Sequence, residues 1–194
     1  MEPFEWERSL FLFFNGMHNP ASDSFFWWLT TPVNSWPLYV FLLMFSYIKF
    51  GWKNTLITLI GLGIAIGLAD AIASQIIKKL IQRPRPSHDP VIEHLVHTLH
   101  GYKGGAYGFV SSHASTSMAI ALFFYNAWKK RFPWAVLLFL WTIVYSYSRI
   151  AVGVHFVGDI IGGWLVGLLA YWISIKIMVF ASTKIPWLKK TSEN

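Results

Sequence analysis

Five long apolar segments, separated by polar connections, constrain the fold of this chain more than any other feature. A helix needs roughly 20 apolar residues to cross a bilayer, so the segments predict an all-α integral membrane protein with five transmembrane helices in a bundle. A sixth crossing through 24–50 is the alternative. The segments lie at 34–50, 54–80, 112–128, 133–152 and 156–181.

The composition supports the same class of protein. Only 13% of the 194 residues are charged and 55% are hydrophobic, whereas soluble domains carry about 25% charged residues. The net charge of +7 is distributed between the apolar segments, which indicates contact with anionic lipid rather than with nucleic acid. The sequence has no Cys, which excludes disulfides and Cys-ligated metals.

We interpret residues 1–194 as one membrane domain. Residues 3–32 mix aromatic and charged side chains and predict amphipathic helices that lie at the membrane interface. Residues 34–181 form the transmembrane core, and residues 83–110 form a long polar loop. Residues 182–194 are read as a basic cytoplasmic tail.

The charged residues predict how the chain is oriented. In a five-helix arrangement nine basic residues lie at one face, which the positive-inside rule makes cytoplasmic. The acidic residues of the N-terminal region and the polar loop lie at the opposite, outward face. The nine basic residues are Lys49, Lys53, Lys129, Lys130, Arg131, Lys176, Lys184, Lys189 and Lys190.

Three short polar segments meet the apolar ones at this outward face. The last of these polar segments contains His155 and Asp159, which are four residues apart. On a helix two such residues share one face. The carboxylate can accept the Nδ1 proton and direct Nε2 outward, as in a catalytic triad; a buried ion pair is the structural alternative. Arg149 lies six residues upstream, and ionisable residues in such segments are functional candidates.

The other two segments supply further groups for binding an anion. Lys78 and Arg85, together with Arg149, can neutralise a phosphate, although Lys78 could instead reach the lipid head groups from a helix end. Ser111 and Ser112 stand where the third predicted helix begins. A helix N-terminus attracts anions, but these hydroxyls could also be plain caps.

A second histidine, His113, follows directly after the two serines and could protonate a leaving group as a general acid. The attacking histidine must be neutral and the donating one charged. Different neighbours could separate the pKa values of the two rings in this way.

The spacing of these residues resembles the type-2 phosphatidic acid phosphatase family of membrane lipid phosphatases. The matching pattern is Lys78-x6-Arg85-Pro86, Ser111-Ser112-His113 and Ser148-Arg149-x5-His155-x3-Asp159. The resemblance extends over about 54–181 and implies a helical enzyme that needs no metal or cofactor. It implies that His155 is the nucleophile that becomes a phosphohistidine, Asp159 its orienting group and His113 the general acid. The implied phosphate ligands are Lys78, Arg85, Ser111, Ser112 and Arg149.

Two features depart from the family pattern. The middle motif is usually Pro-Ser-Gly-His, whereas this chain has Val110-Ser111-Ser112-His113, so the backbone at Ser112 can approach a phosphate less closely. Many members have six crossings, and here the first is expected to be replaced by the interfacial N-terminal helices.

The resemblance also implies a function and a location. We expect hydrolysis of a phosphate or diphosphate on an amphiphilic lipid, with undecaprenyl diphosphate as the first choice. Phosphatidylglycerophosphate, phosphatidate and lipid A are the alternatives. The expected location is the bacterial cytoplasmic membrane, with the site facing outward. A vanadium haloperoxidase and a non-enzymatic lipid-binding protein or transporter are the rival classes.

Two further patterns lie outside the motif. His94, His97 and His100 recur in the polar loop, where His88 also lies. They could suggest a metal, but few carboxylates accompany them and we predict a polar lid without a metal. Asp70 lies in an apolar segment and is read as a structural partner of Lys78 or of another helix. Small residues at helical spacing predict close helix packing at three pairs: Gly63-Gly67, Gly158-Gly162 and Gly163-Gly167.

Overall fold

The computed structural model describes residues 5–189, and these residues are mainly helical. Apart from one isolated bridge between Pro84 and Tyr107, this part of the chain contains no β-structure. The all-α prediction is confirmed. The α-helices are α1 (Glu5–Asn15), α2 (Pro20–Thr30), α3 (Trp36–Asp70), α4 (Lys78–Ile81), α5 (Ser112–Trp128), α6 (Leu137–Ala151) and α7 (Val157–Lys184).

The first two predicted segments form one long helical stretch. Helix α3 changes direction at Gly51, whose φ of 73° and ψ of 165° are not helical and suit a residue without a Cβ. A π-helical segment, Ala71–Ile77, then connects α3 to α4. The predicted loop between 50 and 54 is therefore reduced to a bend.

Three helical stretches in the described residues are long and apolar enough to cross a membrane: Pro32–Ile81, Pro133–Ala151 and Val157–Lys184. Helix α5 is shorter, with 17 residues, and lies at the centre of the bundle against α3, α6 and α7. The number of crossings stays a prediction.

Glycine allows α7 to lie directly on α5. A Cβ at Gly167 would collide with the Ser115 carbonyl, and one at Gly163 would come 2.8 Å from the Ala114 side chain. This predicted small-residue contact is confirmed. The prediction for Gly63-Gly67 is wrong, because a Cβ at either position would meet nothing within 4 Å.

Helices α1 and α2 pack against the end of the bundle where α6 ends and α7 begins. Helix α1 is amphipathic: Glu7, Phe11 and Asn15 are buried, whereas Trp6 and Phe13 are exposed. Helices were expected in this region, and their position at a membrane interface stays a prediction. Residues 3 and 4 of that region and residues 190–194 of the predicted basic tail lie outside the described residues.

Candidate active site

His155 is positioned by the short connection between α6 and α7. Gly153 in this connection has a φ of 81°, and a Cβ there would come 2.6 Å from the His97 carbonyl, so only glycine fits. His155 Nδ1 lies 3.2 Å from Asp159 Oδ2, and the same oxygen accepts the backbone N–H of Phe156 at 2.9 Å. The predicted contact between His155 and Asp159 is confirmed; their roles in catalysis stay a prediction.

The other ring nitrogen of His155 faces Arg85. Arg85 Nη1 lies 3.2 Å from His155 Nε2, and a guanidinium can only donate hydrogen bonds. Nε2 must therefore be the accepting nitrogen, and the ring proton is on Nδ1, where it donates to Asp159. The tautomer that leaves a lone pair on Nε2 is fixed from both sides.

The surroundings of His155 also favour the neutral ring. His155 is 2% exposed, and its burial, followed by the charges of Arg85 and Arg149, lowers its pKa well below the usual range. Burial disfavours the charged imidazolium, and nearby cations disfavour it further. The imidazole is therefore uncharged near neutral pH and can act as a nucleophile.

Asp159 is also held by Arg83, which is in turn paired with Glu7 of the N-terminal helix α1. Arg83 Nη1 donates to Asp159 Oδ1 at 3.3 Å, and Arg83 Nη2 donates to Glu7 Oε2 at 2.6 Å. The other oxygen of Glu7 accepts the backbone N–H of Gly158 at 2.9 Å. Arg83 and Glu7 therefore fix the orienting carboxylate on the side away from the imidazole.

Arg149 is buried between α2 and the polar loop. Its Nη1 donates to Thr30 Oγ1, and its Nη2 donates to the Tyr102 hydroxyl at 3.3 Å. Its Nε is also buried and has no hydrogen-bond partner within residues 5–189. A buried donor without a partner is costly, so this N–H is available to an anion.

A chain of polar groups leads from Lys78 into the bundle. Lys78 Nζ donates to Ser112 Oγ at 3.0 Å, and Ser112 Oγ lies 2.9 Å from Ser74 Oγ. Ser74 in turn donates to Asp70 Oδ1 at 2.9 Å. Asp70 thus reaches Lys78 through two serines, in agreement with its predicted structural role. The π-helical segment carries Ser74 and ends directly before Lys78, and such segments often occur at functional sites.

Ser111 caps helix α5 from a buried position. Its Oγ accepts the backbone N–H of Ala114 at 3.5 Å, and its own N–H donates to the Asp159 carbonyl at 2.9 Å. The structure therefore places Ser111 as a helix cap, and its role as a phosphate ligand stays a prediction.

His113 stands at the boundary between the polar groups and an apolar cavity. Its ring stacks on Tyr145 with 5.6 Å between centroids, and it lies within electrostatic range of His155, Lys78, Arg85 and Arg149. The cavity has a volume of about 430 Å³, and Ser112, His113 and Asp70 form its polar part. Its apolar walls come from Tyr39, Leu43, Leu59, Leu62, Ile66, Ile120 and Phe124.

The predicted residues lie at one end of the bundle. Direct contacts join Arg85, His155 and Asp159, and a separate contact joins Lys78 to Ser112. Ser111 is instead used as the cap of α5. Sequence reasoning missed Glu7, Thr30 and Tyr102, which hold the site from the N-terminal helices and the polar loop. The burial of Glu7 could have been predicted from the sequence, because Glu7, Phe11 and Asn15 recur every four residues and so share one face of a helix.

A helical membrane protein with two arginines beside a histidine–aspartate pair has the arrangement expected of a membrane lipid phosphatase. The sequence model of the PAP2 superfamily matches residues 58–182, and the chain belongs to that superfamily. The predicted resemblance to type-2 phosphatidic acid phosphatases is confirmed. The protein is a multi-pass membrane enzyme that hydrolyses phosphate esters of lipids.

Two curated relatives match most of the chain. A lipid A 4'-phosphatase of Porphyromonas gingivalis is 34% identical over 95% of this chain and 77% of its own length. A lipid A 4'-phosphatase of Bacteroides thetaiotaomicron is 33% identical over 86% of this chain and 74% of its own length.

Two solved structures share the fold. LpxE of Aquifex aeolicus has a TM-score of 0.70 and 26% identity, covering 91% of this chain and 98% of its own. A PAP2-type phosphatidylglycerolphosphate phosphatase of Bacillus subtilis has a TM-score of 0.61 and 21% identity, covering 92% of this chain and 85% of its own.

Proposed function

We propose that this protein removes a phosphate monoester from lipid A, most directly the 4'-phosphate, through a phosphohistidine on His155. The observation that carries the mechanism is the position of His155 Nε2, 3.2 Å from Arg85 Nη1, with the ring proton held toward Asp159.

The substrate class is supported by the relatives and by the cavity. Both relatives described above are lipid A 4'-phosphatases, which favours this alternative over undecaprenyl diphosphate, the first expectation from the sequence. The cavity of about 430 Å³ has apolar walls and a polar end at Ser112 and His113, which suits an amphiphile whose phosphate lies at the polar end.

In the first step the lone pair of His155 Nε2 attacks phosphorus, and the bond between phosphorus and the sugar oxygen breaks. Protonated His113 gives its proton to the departing alkoxide. The negative charge of the bound phosphate favours the protonated form of His113, because an opposite charge nearby stabilises an imidazolium.

The phosphoryl oxygens are neutralised by Arg85, by the Nε of Arg149 and by Lys78. The phosphate takes over the Arg85 donor that contacts Nε2 in its absence. Asp159 stabilises the positive charge that develops on the His155 ring.

In the second step the neutral His113 takes a proton from water, whose oxygen attacks phosphorus. The phosphorus–nitrogen bond breaks, inorganic phosphate leaves and His155 regains its lone pair. Two easier steps replace one difficult displacement.

The location follows from the same proposal. Lipid A is an envelope lipid, and the positive-inside pattern of the predicted five-helix arrangement supports a cytoplasmic face opposite the site. We therefore assign the protein to the bacterial cytoplasmic membrane with the site on the periplasmic side.

The test compares phosphate release from bisphosphorylated lipid A, undecaprenyl diphosphate and phosphatidylglycerophosphate by the enzyme in detergent. We expect the highest kcat/KM with lipid A and, by mass spectrometry, a product that lacks the 4'-phosphate. A higher kcat/KM with undecaprenyl diphosphate and no product from lipid A would overturn the substrate assignment.

The intermediate is tested by quenching the enzyme in alkali during turnover of radiolabelled substrate, since phosphohistidine survives alkali and is lost in acid. Wild type should carry label, His155→Ala should carry none, and His94→Ala, a change in the polar loop away from the site, should match wild type. Equal labelling of wild type and His155→Ala would refute the nucleophile.

A further inference from the structure

Three side chains that the mechanism does not use converge on the outer surface of the N-terminal helices. They are His18 in the turn between α1 and α2, Asp23 in the first turn of α2, and His97 in the polar loop. One ligand atom from each lies within 4.8 Å of the other two. The His18 and His97 rings are nearly parallel, with 3.6 Å between centroids, and His97 Nε2 lies 3.0 Å from Asp23 Oδ2.

The backbone around this cluster is firmly held. Buried Asn15 accepts the backbone N–H of His97 at 2.8 Å and donates to the His97 carbonyl at 3.0 Å. The same amide donates to the Ile150 carbonyl at 2.9 Å, which ties His97 to the end of α6. The turn before α2 is fixed because Asn19 Oδ1 caps the helix through the Ser22 N–H at 3.0 Å.

We propose that His18, Asp23 and His97 bind one divalent transition-metal ion, with zinc as the best match. Two imidazoles and one carboxylate form a donor set that zinc uses in proteins, with water in the fourth position. Magnesium and calcium prefer oxygen ligands. An ion pair between Asp23 and His97 explains that contact, and ring stacking explains the parallel position of His18. What favours a metal is that one ligand atom from each of the three side chains lies within 4.8 Å of the other two; the exposed His18 ring turns out of the stack to direct a nitrogen lone pair at the ion.

The ion joins the two elements that hold Arg149. Helix α2 provides Thr30 and the polar loop provides Tyr102, and both accept a hydrogen bond from the guanidinium of Arg149. A metal that links α2 to His97 therefore joins the two elements that position Arg149, and it does so without contacting the phosphate. The three-residue spacing grouped His97 with His94 and His100, for which a polar lid without a metal was predicted. In the structure His100 instead packs on Trp27, with 4.7 Å between ring centroids.

The test measures zinc on the whole protein in detergent, after treatment with a chelator and titration with zinc sulfate. We expect one zinc per chain by mass spectrometry of the metal, and a higher Tm in the zinc-loaded protein. His18→Ala and His97→Ala should each weaken zinc binding at least about tenfold, since even the loss of an outer-shell partner costs about 10–100-fold. His94→Ala is the matched control and should bind zinc like wild type.

Both variants should fold like wild type. His18 is exposed, and the hydrogen bonds with Asn15 involve the backbone of His97 rather than its side chain. Binding of zinc is measured without substrate, so the result is independent of the lipid A proposal. Absence of bound zinc in wild type at micromolar concentrations would mean an ion pair only and would overturn the site. Equal losses of zinc affinity in His94→Ala and His18→Ala would overturn the proposed site as well.

Discussion

The substitution Asp159→Asn removes the charge behind the nucleophile while leaving the shape of the side chain. The Phe156 N–H points at Oδ2 from 2.9 Å, so the new amide places its oxygen there and its NH₂ toward Arg83. His155 Nδ1 can then still donate to that oxygen. The tautomer survives this change. The negative charge beside a ring that becomes positive during attack is lost, and so is the oxygen that accepts from Arg83 Nη1.

The size of the effect follows from the distance. Two unit charges at the 3.2 Å between His155 Nδ1 and Asp159 Oδ2 attract by about 5 kcal/mol at an effective dielectric constant of about 20. Arg83, 3.3 Å from Asp159 Oδ1, already neutralises part of this charge. We therefore expect kcat to fall by about 10²–10⁴, with a smaller change in KM because the charge acts on the transition state.

The assay is steady-state phosphate release from lipid A over a range of substrate concentrations, on protein whose Tm has been checked. Asp89→Asn is the control, because Asp89 is also a buried carboxylate paired with an arginine, Arg8, at 3.0 Å, and lies outside the site. Its kcat should stay within about tenfold of wild type. If folded Asp159→Asn keeps more than a tenth of the wild-type kcat, the electrostatic role is refuted.

Three more outcomes follow from packing and charge. Gly167→Ala should lower the free energy of unfolding by about 1–3 kcal/mol and lower Tm. Gly63→Ala should leave Tm unchanged, because a Cβ there meets no atom within 4 Å. Equal shifts of Tm in the two variants would contradict the packing of α7 on α5. Glu7→Gln should destabilise the protein by about 1–3 kcal/mol, because it weakens a buried hydrogen bond between charged groups, and a Tm equal to wild type would contradict its role. The acid limb of kcat/KM should lie below pH ~6.5, because His155 has a lowered pKa and must be neutral to attack. Arg85→Gln removes one of the charges that lower the pKa of His155, so the acid limb should move to higher pH. An acid limb that does not move would show that a group other than His155 causes it.

Several helices of the bundle, and the contact between His155 and Asp159, could be predicted from the sequence because their signals are local. The segment predicted at 112–128 is observed as Ser112–Trp128, since Ser111 marks its start as a cap. The four-residue spacing of His155 and Asp159 predicted their contact, although only Asp159 lies in α7 and His155 lies in the connection directly before it. Spacing over a few neighbouring residues is what a linear pattern records.

The remaining parts depend on long-range packing that no local pattern encodes. Thr30 carries no motif, and its contact with Arg149 spans 119 positions of the chain. The histidines of the polar loop have a three-residue spacing, but a 3-10 turn ends at Leu95, so the spacing does not place them on one face. Small-residue pairs predict a close approach without saying which side of a helix meets another helix, and this is why Gly63 was misassigned.

The bond between Glu7 and the Gly158 N–H joins positions that are 151 residues apart. Its acceptor is translated well before its donor, which follows only after most of the bundle has been made. A ribosome-bound intermediate that has inserted α1 to α6 therefore lacks both the imidazole and the carboxylate, and the arginine that Glu7 pairs with has only one of its two acidic partners. On the proposed mechanism, the protein can hydrolyse lipid phosphates only after α7 has begun to form, so an unfinished polypeptide in the membrane would leave the surrounding lipid phosphates intact.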